Sequence, residues 1–324
     1  MTVTASRRPP FDPEVAEALA ARTDVVVGMA LDDIPVLRSR AEVPALDVLS
    51  LGGSLDVTTH RVPGVAGAPD VELLLLRPVG AQGALPVIYH VHGGGLVAGT
   101  MYDDVVAAAE LGAPFGCAVV SVGYRLAPEH PYPAALDDVY AGLRWLVQNA
   151  PEIGVDATRV VIEGVSAGGG LAAATALLAR ERGELTLAGQ MLICPMLDDR
   201  NDSYSSWQMA GVGSWDHQAN AVAWGAYLPG SAASWDVPAL AAPGRAADLA
   251  GLPPAFVDVG SAETFRDEAV EYAQKIWRAG GRAELHVWPG GCHGFDFLQP
   301  DARLSRDARA ARTRWLARAL EGDS

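Results

Sequence analysis

Ser166 stands in Gly164-Val165-Ser166-Ala167-Gly168-Gly169, directly after the apolar run Val160-Val161-Ile162 and before an Ala/Leu-rich stretch from Leu171. A serine on a tight strand-to-helix turn needs small neighbours on both sides, because the backbone is strained and passes close to other segments. Such a turn exposes the hydroxyl and sets the next backbone N–H at a helix N-terminus, where developing negative charge is favoured. The chemistry this suggests is nucleophilic attack; a Gly-rich turn that carries nothing, or binds phosphate, is the plainer alternative. A second signal favours the nucleophile. The run Val87-Ile88-Tyr89-His90-Val91 ends in His92-Gly93-Gly94-Gly95. Three glycines let backbone approach a substrate closely and donate N–H groups to an oxyanion, together with the N–H of Ala167. The sequence leaves open which two of Gly93, Gly94 and Gly95 would donate. His92 reads as a histidine that orients this loop rather than as a catalytic base.

The base must then come later in the chain, because an elbow of this kind is followed by the acid and then the histidine. His60, His90, His92 and His130 precede Ser166, which leaves His217, His286 and His293. His286 lies within a strand-like run and His217 within a tryptophan-rich stretch. His293, in Gly290-Gly291-Cys292-His293-Gly294-Phe295, follows the strand-like run ending at Trp288 and is the expected base. The acid is sought after the preceding run, Ala255-Phe256-Val257-Asp258-Val259, where Glu263 and Asp267 are the main choices and Asp258 stands behind them. Glu263 comes directly after the run. Asp267 opens a helical pattern, where a carboxylate has an ordinary place near the N-terminal dipole. Glu263 is therefore favoured, to fix the tautomer of His293 and stabilise its charged form.

The elements that must position these residues alternate. Residues 13–22 read as a short helix with Asp12 as cap and Pro13 in the first turn. Two strand-like runs, Leu55–Val62 and Val71–Arg77, come next, the first alternating like an edge strand with one wet face. Continuous apolar runs then occur at Pro86–Val91, Cys117–Val122, Val160–Ile162, Gln190–Cys194, Ala255–Val259 and Glu284–Trp288, as expected of strands buried on both faces of a parallel sheet. Helical patterns lie between and after them, at 103–112, 134–149, 167–182, 267–279 and 302–320. This order predicts an α/β, doubly wound sheet with right-handed crossovers, whose sites lie at the carboxyl ends of the strands. Residues 198–250 break the alternation and hold Trp207, Trp215, Trp224 and Trp235. They read either as a helical insertion with its own small core or as a pocket wall lined with aromatic rings. The substrate pocket is expected from Val165, Trp207, Met209 and Trp215.

Composition narrows the classes of function. Of 324 residues, 50% are hydrophobic and 19% charged, which suits a large buried core and not a disordered chain. A net charge of −15 argues against nucleic acid or an anionic membrane as partner. Lys275 is the lone lysine among 24 basic residues, which reads as base composition of the genome. Cys117, Cys194 and Cys292 are too few and too far apart for a disulfide framework or a zinc cluster, and read as buried free thiols. The N-terminus shows no apolar run of signal-peptide length, and Val25–Leu31 is far shorter than a membrane span. The expectation is a soluble, cytoplasmic protein.

Four motifs in order, His92–Gly95, Tyr124-Arg125-Leu126-Ala127-Pro128-Glu129, Gly164–Gly169 and His293-Gly294-Phe295, resemble the hormone-sensitive-lipase-like group of bacterial carboxylesterases. The resemblance covers roughly residues 50–320. It implies an α/β-hydrolase fold: a mostly parallel eight-stranded sheet flanked by helices, with an N-terminal helical cap. Residues 1–45 would be the cap region and 46–324 the catalytic domain, with 198–250 contributing to the cap and pocket wall. It also implies a cofactor-free, metal-free serine esterase acting on short-chain acyl esters. Ser166 would be the nucleophile, His293 the base, and Gly93, Gly94, Gly95 and Ala167 the oxyanion donors. Members of the group often dimerise, so a homodimer is a further expectation. Two positions depart from the group. Val165 stands where Asp is usual before the nucleophile, and Glu263-Thr264-Phe265-Arg266-Asp267 aligns with a pattern like Asp-Pro-Leu-Arg-Asp, which again makes Glu263 the acid. Glu163 is also unusual there; if buried it needs a partner, for which Arg125 is the expected one. Tyr124–Glu129 reads as bracing for the glycine loop. The alternatives are an amidase, lactonase or carbamate hydrolase with the same triad, and, more remotely, a non-catalytic receptor on the same fold. Retention of Ser166, Glu263 and His293 disfavours the receptor.

Overall fold

The structure is a computed structural model that describes residues 8–22 and 26–322. The expectation about the extreme N-terminus, and parts of the 1–45 region, fall on residues 1–7 and 23–25, outside the described residues. The strands are β1 (Leu55–Val62), β2 (Val71–Pro78), β3 (Leu85–Val91), β4 (Ala118–Gly123), β5 (Val155–Val165), β6 (Gly189–Ile193), β7 (Ala255–Gly260) and β8 (Ala283–Trp288). They form one eight-stranded sheet in the order β1-β2-β4-β3-β5-β6-β7-β8. β2 runs antiparallel to both its neighbours, and every pairing from β4 to β8 is parallel. The order reverses around β3, which lies between β4 and β5, so the loops after β3 and β5 open at one switch point.

The N-terminal segment carries α1 (Pro13–Ala21), α2 (Ile34–Arg38) and α3 (Leu46–Leu49). Asp12 caps α1 as its sequence suggests, accepting from the N–H groups of Glu14 and Val15. Between the strands lie α4 (Val105–Gly112), α5 (Ala134–Gln148), α6 (Ala150–Ile153) and α7 (Ala167–Arg182). The later helices are α8 (Tyr204–Gln208), α9 (His217–Tyr227), α10 (Arg266–Arg278), α11 (Phe295–Leu298) and α12 (Arg303–Glu321). α4 and α12 pack on each other and on the sheet, and α5 and α7 pack on each other and on strands that include β2, β4, β5 and β6. α7 is buried on every side as far as Ala179, which explains its Ala/Leu composition with hardly any polar face. It stops where Gly183 takes the left-handed conformation.

Burial follows position in the sheet. β3, β6 and β7 are buried along their whole length, and β1 alternates as an edge strand should. β8 corrects an expectation. Its run Glu284–Trp288 suggests burial on both faces, but β8 is the other edge strand and its residues are half-exposed or exposed. Among the described residues only β7 pairs with it, so its apolar residues have a strand neighbour on one side. β5 begins five residues before its apolar run, because register with Leu85 extends it to Val155. All three cysteines are buried and unpaired. No helix among the described residues is long and apolar enough to cross a membrane.

Candidate active site

Ser166 stands between β5 and α7 with φ 57° and ψ −119°, a strained conformation fixed from several sides. Its N–H donates to Ile193 O at 2.8 Å, and its own carbonyl accepts from Gly170 and Met196. The flanking glycines are steric requirements: a Cβ on Gly168 would stand 2.0 Å from Val91 O. The first turn of α7 therefore approaches the end of β3 more closely than any side chain permits.

His293 Nε2 lies 2.9 Å from Ser166 Oγ, and His293 Nδ1 lies 3.1 Å from Glu263 Oε1. The second oxygen of Glu263 accepts the N–H of Gly260 at 2.8 Å. Glu263 is 1% exposed, so its carboxylate is held by these two partners in a nearly dry site. The histidine loop is held from outside. Asp12 donates its N–H to Gly290 O, and Val15 of α1 packs with Cys292, Phe295 and Ala308 in a small separate core. Ser214 Oγ donates to the carbonyl of His293. Cys194 reaches the same place: its sulfur, the Glu263 carboxylate and a His293 nitrogen lie within 4.8 Å of one another. Burial, reinforced by the Glu263 charge, pushes the Cys194 thiol up, so it stays a neutral neighbour. Asp267 stands apart from this chain of contacts. It begins α10, accepts from Ser205 N–H at 2.7 Å and pairs with Arg266, tying α8 to α10.

The glycine loop is fixed by its carbonyls. Gly94 O accepts from the N–H groups of Val97 and Ala98, and Tyr124 Oη donates to His92 O at 2.9 Å. Gly94 has φ 112°, and a Cβ there would stand 2.1 Å from Ala98 O, so no other residue keeps this turn. Gly93 lies against the elbow, the place of its missing Cβ being 3.2 Å from Val165 O and 3.6 Å from Ser166 Cβ. His92 is buried and stacked on Tyr124 with ring centroids 4.1 Å apart. Burial drops its pKa to about 3, so it stays neutral under the loop, away from proton transfer. Arg38 of the N-terminal segment donates to Val97 O and Ala127 O and pairs with Glu129, stapling that segment onto the loop.

Glu163 is buried, but its partner is not Arg125. His90 and Glu163 are register partners on adjacent strands, so both side chains leave the same face of the sheet. Their side chains meet at 2.5 Å, and His90 Nε2 lies 3.0 Å from Asp103 O. Burial works against charge on His90, but the Glu163 carboxylate outweighs it and holds the imidazole above its ordinary value. Arg125 is instead clamped to Asp138 of α5.

A cavity of about 480 Å³ opens beside His293 and the glycine loop; His293, Gly93, Gly94, Trp215, Leu37 and Phe297 are among its lining residues. Of the expected pocket residues only Trp215 lines it, its ring packed over Gly95. Trp207 is 58% exposed and stacks on His217. Met209 and Val165 are buried without reaching the cavity wall. The helical segment holding these tryptophans thus presents one of them to the site and buries Trp224 in the main core rather than in a small core of its own, while Trp235 is solvent-exposed. Sequence reasoning missed Leu37, Ala41, Asp104, Phe297 and Leu298, which also line the cavity. They carry no local motif; Asp103-Asp104 before α4 reads only as a helix start.

Residues 88–297 match the family described as alpha/beta hydrolase fold. The chain is 37% identical over 297 residues to carboxylesterase NlhH of Mycobacterium tuberculosis, covering 87% of this chain and 92% of that protein. Among solved structures it is similar to a bacterial heroin esterase, with TM-score 0.87, 34% identity, and 96% and 98% of the two chains covered. It is similar too to esterase LipW of Mycobacterium marinum, with TM-score 0.84, 34% identity, and 97% and 98% covered. The chain belongs to the α/β-hydrolase family, in its hormone-sensitive-lipase-like group.

Proposed function

We propose that this carboxylic ester hydrolase cleaves short-chain acyl esters through Ser166, His293 and Glu263. The observation that carries this reading is the continuous contact chain from Ser166 Oγ through both nitrogens of His293 to a buried carboxylate, at 2.9 and 3.1 Å. Ser166 Oγ attacks the ester carbonyl as His293 Nε2 takes its proton. Glu263 holds the tautomer with Nε2 free and stabilises the imidazolium. N–H groups of the Gly93–Gly95 loop and of Ala167 carry the tetrahedral oxyanion. His293 then gives the proton to the leaving alcohol, an acyl–Ser166 ester remains, and water repeats the cycle to release the acid. The N-terminal segment, through Leu37 and Ala41, and Trp215 close an apolar wall over the cavity of about 480 Å³, which favours small acyl groups.

The test is kcat/KM on p-nitrophenyl esters from acetate to dodecanoate, for the wild type and Ser166→Ala. Each added CH₂ should gain roughly 0.8 kcal/mol until the pocket is full, with the optimum at two to six carbons. Ser166→Ala should lose nearly all turnover and all labelling by an organophosphate. A variant that retains more than a few per cent of wild-type kcat, or an optimum at long chains, would refute the assignment.

A further inference from the structure

Asp104 takes no part in the mechanism above. It precedes α4 with φ 59°, and its carboxylate does not cap that helix. Among the described residues nothing donates a hydrogen bond to it. Its neighbour Asp103 differs, accepting from Thr100 N–H and Oγ1. Asp104 Oδ2 lies 3.7 Å from the place of a Cβ on Gly93, and Ser166 Cβ lies 3.6 Å from the same point. Carboxylate and nucleophile therefore flank one glycine of the oxyanion loop. Asp104 lines the catalytic cavity with Trp215 and Phe297. On its other side a second cavity of about 510 Å³ begins, and Asp104 and Phe297 line both.

The charges around it leave a negative floor. The groups acting on Asp104 are His90, Asp103, Glu163 and Asp296, and His90 already faces Glu163 at 2.5 Å. Arg312 is tied to Asp258 and Asp296. Arg22 and Arg40 line the cavity too, but both are exposed, where solvent screens them. Burial, with the neighbouring acids, pushes the Asp104 carboxyl up to about 6. Above that pH the cavity wall holds a half-buried carboxylate with no hydrogen-bond donor among the described residues, which gains from a cation brought by the ligand. Two aromatic rings in the same wall suit an alkylammonium better than a hydrated metal ion.

We propose that Asp104, Trp215 and Phe297 form a subsite for an alkylammonium group, so that the enzyme favours esters carrying a tertiary or quaternary amine. The inference rests on the esterase reading above and names the substrate class of that site. The overall charge of −15 also steers such cations inward.

The test compares acetylcholine with 3,3-dimethylbutyl acetate, which has the same shape with carbon in place of the cationic nitrogen. The ratio of their kcat/KM values on one preparation cancels the fraction of active enzyme, so partial misfolding of a variant does not matter. The wild type should favour the cation at least tenfold at pH 8. Asp104→Asn should bring the ratio close to one, and Asp104→Ser should do the same if Asn folds poorly. The wild-type ratio should also collapse below pH 6, while His293, which faces the same cavity, serves both esters alike and drops out of the ratio. A wild-type ratio near one, or a tenfold ratio kept by both variants, would overturn the subsite while leaving the esterase reading intact. Hydrolysis of neither ester by a preparation that still cleaves p-nitrophenyl acetate would likewise overturn the subsite alone, whereas no cleavage of p-nitrophenyl acetate, or cleavage unchanged by Ser166→Ala, would overturn the esterase reading and the subsite with it.

Discussion

Replacing Glu263 with Gln is the sharpest test of the triad, because the surroundings dictate which way the amide must turn. One carboxylate oxygen accepts the fixed N–H of Gly260 at 2.8 Å, and the other faces His293 Nδ1 at 3.1 Å. A glutamine has one oxygen and one NH₂ to offer. Turning the NH₂ toward Gly260 would oppose two donors in a site where residue 263 is 1% exposed, at a cost of roughly 1–3 kcal/mol for the unsatisfied groups. The amide oxygen therefore stays on Gly260 and the NH₂ meets His293. Nδ1 must then accept, which puts the ring proton on Nε2, against Ser166 Oγ. The histidine becomes a donor to the nucleophile instead of its base, and the charge that stabilises the imidazolium is gone. Amide replacement of a triad carboxylate with this tautomer change costs about 10⁴ in kcat, or about 5 kcal/mol of transition-state stabilisation. The assay is kcat on p-nitrophenyl butyrate beside a thermal melt. Asp267→Asn serves as the control: it loses a charge-assisted tie between α8 and α10, with a stability cost of about 1 kcal/mol at a partly exposed site, and kcat should stay within a few-fold. If Glu263→Gln turns over within tenfold of the wild type, or Asp267→Asn is the inactive variant, the reasoning fails.

Three further outcomes are expected. Gly94→Ala would drive a Cβ to 2.1 Å from Ala98 O, so the loop must shift; kcat on a short ester should fall by roughly 10²–10³, and an unchanged kcat would show that this loop is not the oxyanion site. Asp104 has its folded-state pKa raised from 3.8 to about 6, so its ionisation opposes folding as pH rises through that window. Asp104→Asn should therefore match the wild type in chemical denaturation near pH 3, gain on it between pH 4 and 6, and stay more stable by roughly 2–3 kcal/mol above pH 6; a gain confined to low pH would contradict the sign. Arg312 is buried between Asp258 and Asp296, and Arg312→Met should cost about 3–5 kcal/mol by leaving buried carboxylates without their cation, which urea denaturation at pH 7 would measure.

Much of this molecule is legible in its sequence, because the signals are local. Alternation of apolar runs with helical patterns gives the doubly wound sheet. The small residues around Ser166 and the glycines after His92 announce turns that no other residue type tolerates. That His293 and Glu263 meet beside Ser166 can be anticipated by position, since each follows a strand and such loops share one edge of the sheet. What the tertiary structure alone decides depends on register and on contacts between distant segments. His90 meets Glu163 because β3 and β5 pair with those two residues side by side, and no local pattern specifies that register over the rival pairing with Arg125. β8 is an edge strand because no strand among the described residues continues the sheet beyond it, although its residues read like those of an inner strand. Trp215 faces the cavity while Trp207 stacks on the surface, a choice made by how the segment between β6 and β7 packs. Asp104 joins Trp215 and Phe297 in one wall only because the loop after β3, that segment and α11 converge over the same strand ends. Local sequence fixes the backbone of each turn and strand; the lining of a cavity is a property of their packing, which single-segment patterns do not encode.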